Sequence, residues 1–151
     1  MESLYGGESN LLGESQIDIS NRNISQIDPQ TFNGLIKLKY LFIDHNRLTN
    51  LHEDLFVSLS SLISLRLDYN QLTSLSSSMF RSLVNLNGLW LNNNYIEAID
   101  PNAFTPIINS SNNSVLIVFM SSNPIIVNNY SYVYNLCNYV ITQKCYLNVT
   151  M

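Results

Sequence analysis

The sequence predicts a solenoid of stacked coils, with short parallel strands lining a concave face and the rest of each coil returning along the convex side. Three observations carry that expectation. The phrase L-x-L-x-x-N-x-L recurs with a period of 24 residues. A second apolar set, containing a Phe and ending in Leu or Ile, recurs with the same period. No single unit has enough apolar surface to close a core, so successive units must stack.

The repeat is read residue by residue. Asn46, Asn70 and Asn94 close the phrases Leu41 to Leu48, Leu65 to Leu72, and Leu89 to Ile96. Leu38, Leu62 and Leu86 stand three residues before each phrase. Leu51, Leu75 and Ile99 follow, then Phe56, Phe80 and Phe104, then Leu59, Leu83 and Ile107. Alternation within L-x-L puts the leucines inward and the intervening residues outward. The Asn amide both donates and accepts hydrogen bonds, which suits the backbone bend after the strand. Asn46, Asn70, Asn94 and Asn123 therefore read as a structural ladder.

Two units depart from the pattern. The first, Ile17 to Leu35, has Arg22 at the Asn position. The last keeps Val115, Val118, Met120, Asn123, Pro124 and Ile125, but Asn94 and Asn123 are 29 residues apart. About five extra residues are expected as a polar loop within 108–114.

These phrases resemble the leucine-rich-repeat family in its 24-residue form with a Phe in the second half. Ile27 to Phe32 and Ile99 to Phe104 are similar to extracellular members, such as Toll-like receptor or Slit-like ectodomains. The resemblance implies an α/β-type solenoid, a right-handed curved coil with irregular or short helical segments on the convex side. It divides the chain into a leader or minimal cap (1–15), about five repeats (16–128) and a cap-like C-terminal segment (129–151). It also implies protein–protein recognition in place of catalysis. The cysteine-rich caps of extracellular members are absent from these residues. Only Cys137 and Cys145 stand where the C-terminal one would be, and a disulfide or two free thiols both remain open.

Composition narrows the function classes. The chain has 151 residues, one domain's worth, with 12% charged residues, 22 Asn and 20 Ser. A net charge of −4 and no Lys/Arg cluster give the expectation of no nucleic-acid partner. No apolar run approaches the roughly 18 residues of a membrane span. The start MESLYGGESNLLGESQ has no apolar signal region. Read as a true start it indicates the cytoplasm, whereas the resemblance favours the cell surface or exterior. Self-association through an uncapped solenoid end is a further expectation.

The outward positions give the candidate site. They hold Tyr40, Phe42, Tyr69, Trp90, Tyr95 and Phe119, with Arg47 and Arg66 beside Asp44 and Asp68. Aromatics and Arg are the residues most enriched in binding hot spots, so a protein or peptide ligand against this face is expected, anchored by Trp90. The competing reading is that β-prone aromatics stabilise the sheet through cross-strand contacts. Five N-x-S/T sequons occur, at Asn23, Asn109, Asn112, Asn129 and Asn148. With so much Asn and Ser that number is close to chance; Asn109 and Asn112, in the inserted loop, are the leading candidates for glycosylation. His45 and His52 have no metal-ligand spacing. Neither a nucleophile motif nor a phosphate-binding loop is present, so no enzyme activity, cofactor or metal is expected.

Overall fold

A computed structural model describes residues 14–100, 102–108 and 115–125, together with the backbone of 145–148. Its elements are β1 (Gln16–Asp18), β2 (Tyr40–Phe42), β3 (Ser64–Arg66), β4 (Ser74–Leu75), β5 (Gly88–Trp90), β6 (Ala98–Ile99), α1 (Thr105–Ile108), β7 (Leu116–Phe119) and β8 (Cys145–Asn148). The long sheet runs in the order β1-β2-β3-β5-β7-β8, with every pair parallel. A small second sheet pairs β4 with β6 on the return path. The fold is the parallel-strand solenoid that the repeat predicts. Its convex side is mostly turns, with one helical turn at α1.

The period sets the register. Ile17 pairs with Leu41, Leu41 with Leu65, Leu65 with Leu89, and Leu89 with Val118. All five side chains point inward and are buried. Ile43, Leu67 and Leu91 are buried one step past the strand ends. On the return path Phe56, Phe80 and Phe104 form a stacked column, with ring centroids 6.5 and 6.2 Å apart and interplanar angles of 10° and 16°. A core continuous from coil to coil results, with no closed unit inside one repeat.

The bend after each strand is built by two neighbouring residues. The residue before the ladder position is left-handed in every coil: Asn21 (φ 54°), His45 (55°), Tyr69 (54°), Asn93 (53°) and Ser122 (58°). That conformation turns the chain sharply and drops the next side chain under the backbone. There Asn70 Nδ2 donates to Ile43 O (3.0 Å) and Leu67 O (3.1 Å), while its Oδ1 accepts from Leu48 N (3.1 Å). Asn46, Asn94 and Asn123 repeat these bonds between their own coils. Each amide thus joins backbone groups of two coils that would otherwise be buried without partners. Arg22 has no such amide, and its own N–H donates to Asn46 Oδ1.

The last repeat differs from the sequence reading in one detail. Val115 matches the repeat's apolar pattern, but it is exposed and Leu116 is buried. The long unit starts its strand at Leu116, so the inward–outward alternation is fixed from there: Leu116 in, Ile117 out, Val118 in. The extra length appears in the ladder, where Ile96 N reaches Asn123 across 27 residues against 22 for Leu72 N and Asn94. The inserted loop, with Asn109 and Asn112, lies outside the described residues, as does Cys137. Cys145 opens β8, of which only the backbone is described.

Candidate ligand-binding face

The outward residues of the long sheet form rows because the register is constant. One row runs Asp18, Phe42, Arg66, Trp90 and Phe119 across β1, β2, β3, β5 and β7. Neighbouring members are one strand spacing apart, about 4.8 Å. The row beside it holds Gln16, Tyr40, Ser64, Gly88 and Ile117. Tyr40 and Ile117 are exposed, while Phe42, Arg66, Trp90 and Phe119 are half-buried.

Trp90 owes its position to Gly88. A Cβ on Gly88 would meet the Trp90 atoms Cη2 and Cζ3 at 2.5 Å. The missing side chain lets the indole fold flat over the strand, where it stacks on Phe119 with centroids 5.1 Å apart and planes 12° from parallel. The two stacked rings and Ile117 make an apolar patch on the outer side of β5 and β7.

The polar half lies over β1 to β3. Arg66 Nε and Nη2 reach Asp68 at 3.3 and 3.1 Å, and Nε lies 3.7 Å from Asp44. Asp44 and Asp68 are only 6% and 3% exposed, so both carboxylates depend on that guanidinium for compensation. The Asp68 hydrogen bonds and both carboxylate charges hold the Arg66 pKa above its ordinary value. Asp44 also contacts His45 Nδ1 at 2.9 Å, and His45 stacks on Tyr69 at 4.3 Å. Asp44, His45 and Asp68 bring three ligand atoms within 4.8 Å of one another. Arg66 already provides the cluster's positive charge, and a metal cation would have to displace it. Asp18 is held below the usual aspartate pKa by the Ser20 hydroxyl and backbone N–H, with Arg22 and Arg66 adding to the effect.

The sequence-predicted residues therefore divide. Tyr40, Phe42, Arg66, Trp90 and Phe119 lie on the sheet itself. The strands end before Asp44, Arg47, Asp68, Tyr69 and Tyr95, which stand in the turns beyond. Asp44 and Asp68 point into the buried cluster, and Tyr69 and Tyr95 are exposed along the flank. Arg47 forms no ion pair among the described residues; its backbone N–H donates to Ile24 O. His45, Ile117 and the role of Gly88 were not singled out from the sequence. A signal existed for Ile117, since it continues the Tyr40–Ser64–Gly88 row across the inserted loop. Asn92, in the column of Asp44 and Asp68, accepts from Ser121 N and Oγ at 2.9 and 2.8 Å and joins the last two coils.

The leucine-rich-repeat family model matches residues 15–72 and 61–109. Together with the repeat geometry this places the chain in the leucine-rich-repeat family. Among solved structures it is similar to TLR13 in complex with ssRNA13, with 27% identity and a TM-score of 0.71. It is also similar to Toll in the Drosophila Toll–Spatzle complex, glycosylated form, with 30% identity and a TM-score of 0.57. These alignments take in 85% and 64% of this chain but only 17% and 12% of those proteins, so the chain spans a small part of either. Among curated proteins, no relative matches. One neighbour was solved with RNA, so the charge-based exclusion of nucleic acid has no support from the likeness. No helix among the described residues is long and apolar enough to cross a membrane.

Proposed function

We propose that this chain is a ligand-binding module, or part of one, of an extracellular or cell-surface recognition protein, and that it holds a protein or peptide against its concave sheet. The observation that carries the reading is the stacked Trp90–Phe119 pair, lying over Gly88 and beside exposed Ile117. A ligand's apolar side chain gains burial there without first ordering the rings, which already stack on each other. The likeness to Toll-like ectodomains supports a recognition role. A protein ligand fits better than RNA, because the net charge is −4 and the one Arg on the sheet is committed to Asp68. Binding, with no chemical step, is the activity this surface suits.

The test uses a displayed library of extended peptides, selected against the full chain. Enriched peptides should lose about 2 kcal/mol or more of affinity, roughly thirty-fold, on Trp90→Ala with the circular dichroism unchanged. His52→Ala, on the return side, should change nothing. Enriched peptides indifferent to Trp90 would refute the assignment, and tight binding of a single-stranded RNA oligonucleotide with no enriched peptide would move it to nucleic acid.

A further inference from the structure

Asn23 opens the sequon Asn23-Ile24-Ser25, and it is the one sequon among the residues whose side chains are described. Its surroundings differ from those of the ladder asparagines. Asn46, Asn70, Asn94 and Asn123 are buried with their amide nitrogens committed to carbonyls. Asn23 is exposed, and so is Ser25. The backbone on either side of it is fixed, because Arg22 N and Ile24 N both donate to Asn46 Oδ1 at 3.0 Å. The Ile24 side chain is buried and anchors the sequon's middle residue. Asn23 itself has φ 59°, a conformation Asn tolerates, at the tip of the turn after β1. The sequon is thus an outward-facing bend whose core contacts are all made by the residues flanking the acceptor.

We infer that Asn23 is an N-glycan acceptor, an inference that rests on the secreted or cell-surface part of the function proposed above. In the reaction, Asn23 Nδ2 displaces pyrophosphate from the anomeric carbon of a lipid-pyrophosphate-linked oligosaccharide. The new N–C bond replaces the C–O bond, and the amide proton leaves with the pyrophosphate lipid. The glycan stands on the flank of the first coil. Trp90 lies on the third strand over from β1, about 14 Å along the sheet, whereas Tyr40 and Phe42 lie on the next strand, so the glycan stands at the β1 end of the face. A glycan here also covers the turn of the first coil, where the ladder has Arg22 in place of Asn.

The test is translation of the full chain, behind a cleavable signal sequence, in the presence of microsomes. Protease protection reads translocation, and a glycosidase-sensitive gel shift reads occupancy. The protected chain should lose one shift step on Asn23→Gln and the same step on Ser25→Ala, which leaves the left-handed Asn in place. A protected chain whose shift is unchanged by both substitutions overturns the assignment. The compartment is read separately, by intact mass of the protein from its native source. Unmodified mass there, with Asn23 glycosylated in microsomes, would sink the extracellular reading and leave the acceptor geometry standing.

Discussion

Asn70 closes backbone groups from two coils with one amide, and that makes it the most informative single residue. Asn70→Ala removes the Nδ2 donations to Ile43 O, Leu67 O and Asp68 O and strands Leu48 N–H in a buried turn. A loss of about 3 kcal/mol is expected in urea unfolding, since each stranded group costs about 1–3 kcal/mol. The repeat made the ladder legible in the sequence. The left-handed residue before it was not. Asn21, Asn93 and His45 are of types that favour that conformation, but Tyr69 carries no such signal, and it sits there because the coil geometry demands the turn. Arg66 is a second case. The sequence places it on the candidate ligand face, and the structure adds that its guanidinium compensates two nearly buried carboxylates. Arg66→Met should cost about 2 kcal/mol at neutral pH. Urea unfolding of the two proteins checks it. Asp18 gives a smaller effect with a fixed sign. Its pKa is lowered in the folded chain, so the stability it adds is present above the usual aspartate pKa and is lost as pH falls through the lowered one.

At the scale of elements, each strand is only two to four residues long and owes its stability to packing between coils. Phe80 is the middle ring of the phenylalanine column and is fully buried. Phe80→Ala should destabilise by about 3–5 kcal/mol, as other buried Phe truncations do. The same denaturation midpoint should appear by tryptophan fluorescence and by circular dichroism, because the core is shared. Element positions followed from the period wherever the unit had 24 residues. They slipped in the long unit, where Val115 fits the pattern but Leu116 takes the inward place, because five added residues break the count before β7. Strand β5 shows what a pattern leaves out. Gly88 carries no signal in the repeat, and its function appears only against the Trp90 ring. Gly88→Ala should expel the indole, red-shift the Trp90 emission and lower stability by about 1–3 kcal/mol, the usual cost of forcing an extra methyl into packed space.

At the scale of the molecule, the long parallel sheet of the described residues is six strands wide, with a polar half centred on Arg66 and an aromatic half centred on Trp90. The sequence disclosed the face, because outward positions recur as reliably as inward ones. It did not disclose how that face divides, since the difference depends on which side chains meet across strands. Of the residues read as one surface, Asp44 and Asp68 are turned into a buried cluster, and Tyr95 stands apart on the flank. The most direct measurement is backbone hydrogen exchange of the full chain with and without a peptide enriched by display. Protection should rise in Tyr40–Phe42, Ser64–Arg66 and Gly88–Trp90 and stay unchanged at 52–57 on the return path. Protection confined to the return path, with the strands unaffected, would contradict ligand binding on the concave sheet.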